Sequence, residues 1–184
     1  MFIFKRACIA LAAVLAGACA TSTREPSVAS LGKGPSLGQP ATATEIALID
    51  ITVLPSGAGL PAGSGDARAG AKVYVANCQS CHGEKGAGKP ADPLVGGMGT
   101  LASASPVRTV GSYWPHATTL FDYTRRAMPT TAPRSLTNDE VYAVTAYLLH
   151  LNGIISEDHT LNAQTLPAVR MPNSDGFIDY SKAR

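Results

Sequence analysis

The sequence predicts an all-α domain with long irregular extensions at both ends. Three observations carry that fold class. Helical patterning marks three stretches, near residues 66–77, 116–127 and 137–151. Thr137 and Glu140 form a capping box at the start of the last stretch, and Gly153 stands where its C-terminal cap belongs. The intervening and flanking segments are rich in Gly and Pro (18 and 13 residues), while charged residues make up only 15% of the chain, a mixture that suits a compact, loop-rich domain with low-complexity flanks.

The first helical stretch runs into Cys78-Gln79-Ser80-Cys81-His82. Two thiols separated by two residues and followed at once by an imidazole are the attachment pattern of c-type haem. The thiols of Cys78 and Cys81 add across the two haem vinyl groups, and His82 becomes the proximal iron ligand. Other uses of these cysteines lack a partner. A structural zinc site needs a second ligand pair, and no other Cys-x-x-Cys occurs. A thioredoxin-like dithiol needs βαβ patterning, which is missing. A Cys78–Cys81 disulfide leaves His82 unexplained. The motif occurs once, so one covalent haem c is expected.

In chain order, Lys5 and Arg6 precede a short apolar run and then Ala16-Gly17-Ala18. The run is too short to span a bilayer comfortably, and the whole reads as a secretory signal over residues 1–18. An exported, periplasmic protein is therefore expected, which suits a haem attached outside the cytoplasm. Ala18-Cys19 approximates a lipoprotein cleavage site as well as an ordinary one, so anchoring to a membrane through a lipidated Cys19 stands beside a freely diffusing form. Loss of Lys5 and Arg6 would leave 13 bases against 13 acids. A neutral domain is not built for nucleic acid. Residues 19–40 read as a flexible tether, and 41–65 as an N-terminal extension with a short helical turn after the Thr42/Glu45 capping box.

A mono-haem domain is expected over 66–154. In its first helix Gly70 and Tyr74 share a face where another helix can cross closely, with Tyr147 of the last helix as the crossing partner. The glycine-rich loop after His82 has no strand before it and no Gly-Lys-Ser/Thr after it, which excludes a phosphate loop. Its glycines are expected to let backbone approach the haem face, with Leu94 and Val95 against the ring. Trp114 is a candidate propionate donor or a packing residue. Leu120, Phe121 and Thr124 fall on one face of the middle helix, which ends at Met128-Pro129. Proline disfavours helical geometry in the residue before it, so Met128 leaves the helix with its thioether free to turn inward. Met128 lies 46 residues after His82 and is the expected distal iron ligand. His/Met ligation raises the reduction potential. Met98, Met171, His116, His150 and His159 are the rival sixth ligands. Arg125 and Arg126 are expected to be a solvated pair, with propionates or an acidic partner as the alternative. Residues 155–184 read as a tail that folds back on the domain, lies along a partner, or stays flexible.

These features together resemble a class I cytochrome c. Longer phrases narrow the likeness: Val110-Gly111-Ser112-Tyr113-Trp114-Pro115, Ala117-Thr118-Thr119-Leu120-Phe121-Asp122-Tyr123, Arg125-Arg126-Ala127-Met128-Pro129 and Met171-Pro172-Asn173 are similar to the haem subunits of sulfite and sulfur dehydrogenases. The resemblance implies the class I cytochrome c fold, haem on Cys78 and Cys81, and His82 and Met128 as axial ligands. It also implies an electron-transfer subunit, not itself an enzyme, that accepts electrons from a molybdenum-cofactor dehydrogenase subunit and passes them to a downstream cytochrome c or oxidase. Some relatives carry two haem domains; this chain carries one motif. The alternatives are an independent or membrane-tethered shuttle to a terminal oxidase, and a haem enzyme or gas sensor should Met128 not bind iron.

Overall fold

The computed structural model describes residues 38–178. The signal segment, Cys19 and nearly all of the expected tether lie outside them. From Thr42 onward the described chain forms one compact unit.

Helix α1 (Ala43–Ile49) starts at the expected capping box: the Thr42 side chain accepts from the Glu45 N–H, and the Glu45 carboxylate accepts from the Thr42 N–H at 2.7 Å. Strand β1 (Ser64–Gly65) precedes α2 (Ala67–Asn77), which Asp66 caps by accepting from the Ala69 N–H. Cys78 closes α2 and opens a single turn, α3 (Gln79–His82). After a 3₁₀ turn at Glu84–Gly86 and a long loop come α4 (Val110–Tyr113), α5 (Ala117–Ala127) and α6 (Asn138–Leu151). Strand β2 (Leu161–Asn162) pairs antiparallel with β1, and a second 3₁₀ turn spans Leu166–Ala168. Helix α4 was not expected. Its signal is a local capping box, Thr109 with Ser112, masked by Gly111 and the aromatic run after it.

The core is built on α6. Val141, Tyr142, Ala143, Val144, Thr145, Ala146, Leu148 and Leu149 are all buried, so neighbours surround the helix on nearly every side. Phe121 of α5 stacks obliquely on Tyr142, with ring centroids 4.4 Å apart. Helix α2 crosses α6 at Gly70, as its small side predicts. A Cβ there would meet the backbone carbonyl of Ala143 and lie 2.8 Å from Tyr147 Cβ. One turn on, the Tyr74 and Tyr147 rings meet at 5.4 Å.

Tyr74 also ties the core to the motif, because its hydroxyl donates to the Gly83 carbonyl at 2.8 Å. Burial pushes this hydroxyl up to about 12, from an ordinary 10.0. A hydroxyl that ionises later in the fold than in the unfolded chain contributes stability that is complete below about pH 10 and is lost as pH rises toward 12. Tyr74→Phe is expected to lower stability by roughly 1 kcal/mol at neutral pH and to flatten the fall between about pH 10 and 12. Thermal melts across that range check both effects.

Both extensions are part of this unit as far as they are described. Val53 is buried, and its N–H donates to Asp122 Oδ1 of α5 at 2.9 Å. The carbonyls of Pro55 and Pro61 accept from Thr118 and Tyr142, and Ser64 N–H donates to Asp139 Oδ1 at 2.7 Å. Leu161, Leu166 and Met171 of the C-terminal segment are almost completely buried. The ends at 66 and 154 are therefore not packing boundaries. Apolar residues on both sides cover the α5–α6 core, which the helices alone leave open. Asp122→Ala removes the acceptor for Val53 and the partner of Arg126, at a cost of about 1–3 kcal/mol. Limited proteolysis of this variant is expected to cut first near residues 50–54.

Candidate haem site

Three parts of the chain converge on one cavity of about 430 Å³. The first is the motif. Helix α2 ends where Cys78 takes a non-helical conformation, and the α3 turn presents Cys78, Cys81 and His82 to the cavity. Cys78 is half-buried and Cys81 is exposed. Burial, reinforced by the neighbouring Cys81 thiol, pushes the Cys78 thiol up to about 11. The His82 ring is held by a 2.9 Å hydrogen bond between Nδ1 and the Asp92 carbonyl. A carbonyl only accepts, so the proton sits on Nδ1, and Nε2 keeps a free lone pair for a metal.

The second part is the end of α5. Met128 is its C-cap, with extended backbone (φ −112°, ψ 145°) and its N–H still bonded to the Thr124 carbonyl. The departure expected from the following proline is thus observed. Met128, Pro129, Thr130 and Thr131 all line the cavity. The third part is apolar wall: Leu94, Val110, Leu120, Val144 and Leu148, with Trp114 and Tyr123 meeting edge to face at 5.7 Å.

The rival ligands stand elsewhere. Met171 is buried in the core, Met98 projects into solvent, His116 caps α5, and His150 Nδ1 contacts the Ile155 carbonyl. Neither they nor His159 lines this cavity, so among the described methionines and histidines it receives only His82 and Met128.

A model of the cytochrome c family matches residues 67–152. A chain in the crystal structure of the sulfane dehydrogenase SoxCD from Paracoccus pantotrophus is 40% identical to this one, with a TM-score of 0.74, over 82% of this chain and 76% of that one. The chain is a member of the cytochrome c family. Comparison with curated proteins yields no match.

Membership brings one covalently bound haem c and electron transfer as the general function. The cavity suits that group. Its volume lies in the range of roughly 300–1,000 Å³ usual for cofactor sites. Its wall is mostly apolar, and its donors are two thiols, an imidazole with one nitrogen pinned, and a thioether.

Two expectations about the surroundings need correction. Val95 does not line the cavity; it lies against Gly86, where an added Cβ would come within 2.8 Å of it. The loop glycines serve the loop itself. Gly83 and Gly86 take positive φ (75° and 76°), which side chains resist, and a Cβ on Gly83 would run into the Gly88 carbonyl. The arginine pair does not line the cavity, in keeping with the solvated reading: Arg126 is partly exposed and bonds Asp122 at 2.6 Å, and Arg125 reaches the Ile51 carbonyl. The cationic residue that does line the cavity is Arg108, set over the Tyr113 ring at 5.4 Å. Sequence reasoning missed Arg108 because it stands alone in a loop with no motif around it. Asn152 was also missed. Its amide donates to the Leu94 carbonyl at 3.1 Å and its oxygen accepts from the Gly96 N–H, which clamps the cavity loop to the end of α6.

Proposed function

We propose that Cys78 and Cys81 hold the haem by thioether bonds and that His82 and Met128 are its axial ligands. The haem supplies reversible one-electron exchange. The protein's residues fix His82 by its Nδ1 contact, place a soft thioether in the cavity and keep the wall apolar, a combination that favours the reduced metal. With both axial positions filled from the chain, the protein carries electrons and leaves catalysis to a partner.

We further propose that the partner is the molybdenum subunit of a sulfur-compound dehydrogenase, from which this cytochrome accepts electrons and passes them to a downstream cytochrome or oxidase. The observation that supports this is the 40% identity to a sulfane dehydrogenase chain over 82% of the sequence, well beyond the 67–152 span common to cytochromes c. The Lys5-Arg6 segment and the apolar run after it support export to the periplasm. The test is to purify the tagged, haem-loaded chain from its own cells. The expected result is co-purification of a molybdenum-containing subunit, with haem reduction on adding thiosulfate or sulfite. A lone cytochrome without molybdenum that neither compound reduces would overturn the assignment.

A further inference from the structure

The loop that follows the motif is bonded largely to its own neighbourhood. The Ala91 N–H donates to the Cys81 carbonyl at 2.9 Å, and the Leu94 and Val95 N–H groups donate to the Gly86 carbonyl. Two side chains from farther along the chain grip residues 94–96. Thr109 Oγ1 donates to the Gly96 carbonyl at 2.7 Å. Asn152 supplies the other hold. It is only 8% exposed, and its whole amide is used. The oxygen accepts from the Gly96 N–H at 3.2 Å, while the nitrogen donates to the Leu94 carbonyl at 3.1 Å and the Leu148 carbonyl at 2.8 Å. Only this orientation fits, because the carbonyls accept and the N–H donates. Helix α4 closes the space beside it: a Cβ on Gly111 would run into Asn152 Oδ1.

What Asn152 grips lies next to the support of the imidazole. Asp92, whose carbonyl accepts from His82 Nδ1 at 2.9 Å, is joined to Leu94 through Pro93. Proline fixes its own φ and narrows the backbone of the residue before it, so this link is stiff. Leu94 is itself part of the apolar cavity wall. One buried amide therefore holds the chain that carries both the imidazole's acceptor and a piece of the wall.

We propose that Asn152 is a positioning residue for the proximal ligand. It keeps residues 91–96 closed against His82, so the Nδ1 proton stays on the Asp92 carbonyl and water stays out. This rests on His82 as an axial ligand, proposed above, and adds the residue that holds its acceptor in place. Outer partners of this kind orient a metal's ligands, and the apolar shell around them controls solvent access and potential. Without the clamp the loop opens locally, and water replaces the carbonyl as the acceptor for Nδ1. Donation from the ring is then little changed, but water beside the site favours the more highly charged, oxidised metal. The reduction potential falls as a result.

The test uses the haem-loaded full-length chain in its reduced form. Asn152→Ala removes all three side-chain bonds. Asn152→Asp keeps the size and the acceptor for Gly96 but loses both donated bonds, and it serves if the alanine variant fails to fold. Gly70→Ala is the comparison, because it strains the α2–α6 crossing without touching this loop. Proton exchange followed by NMR reads the His82 Nδ1 proton and the Tyr142 and Val144 amides in one sample, and redox titration gives the potential. In the Asn152 variants the Nδ1 proton is expected to exchange on the order of tenfold faster, the two core amides to change less, and the potential to lie below wild type. In Gly70→Ala any acceleration is shared by all three protons, and the potential stays at the wild-type value. Equal acceleration of the Nδ1 proton and the core amides in the Asn152 variants, or a wild-type potential, overturns the proposal and leaves His82 as the ligand. Wild-type His82 ring protons without the large upfield shift that a haem ring imposes on its axial ligand overturn both.

Discussion

Met128→Ala is expected to abolish the long-wavelength methionine-to-iron absorption of the oxidised protein and to lower its reduction potential. Axial ligands as a class move haem potentials over roughly 0.8 V, so a fall on the order of 0.1 V is expected from losing one thioether. No replacement is at hand among the described methionines and histidines: Met171 is locked in the core, Met98 faces solvent, and the other three histidines lie outside the cavity. The vacated position becomes open to water and small ligands. Met128→Leu separates the two roles of the side chain. It restores most of the volume without the sulfur, so stability is expected to recover while the potential stays low. Redox titration and carbon monoxide binding to the reduced variants check this. Unchanged potential and absorption in Met128→Ala would return the open-site reading, a haem enzyme or sensor, to contention.

Gly70→Ala is expected to destabilise the protein although it adds only one methyl group. Alanine is the better helix former, by up to about 1 kcal/mol, so propensity alone predicts a gain. Packing decides otherwise. The new methyl meets the Ala143 carbonyl, which is backbone and cannot swing aside, and Tyr147 Cβ at 2.8 Å. Relief requires α2 and α6 to part, which also opens the Tyr74–Tyr147 contact. Overpacking typically costs 1–3 kcal/mol, and a rigid neighbour places this site at or above the upper end. A net loss of about 2 kcal/mol or more, and a fall in Tm of roughly 5–10 °C, is expected in thermal unfolding. A melting temperature equal to wild type would show that the two helices can slide apart freely.

Legibility differed from residue to residue for physical reasons. The Thr42/Glu45 and Thr137/Glu140 caps were readable because a capping box closes within four residues and needs no distant partner. The exit of Met128 was readable because proline acts on its immediate neighbour. The Gly70 crossing was half readable. A glycine beside an aromatic residue announces a close approach, but nothing in the sequence singles out Ala143 as the residue that approaches. Asp122 looked like one more acidic residue on a helix, yet it holds the N-terminal segment through Val53, 69 residues away. Arg108 and Asn152 owe their importance wholly to which loop lies beside them.

By itself the sequence determined the local chemistry of this cytochrome: the haem attachment motif, the helix limits, and a methionine forced out of its helix. Each follows from interactions spanning a few residues, which the chain cannot escape however it folds. Only the tertiary structure decided that both extensions belong to the folded unit and which cation faces the cavity. Those outcomes depend on contacts between distant segments, where burial of apolar surface outweighs any local preference.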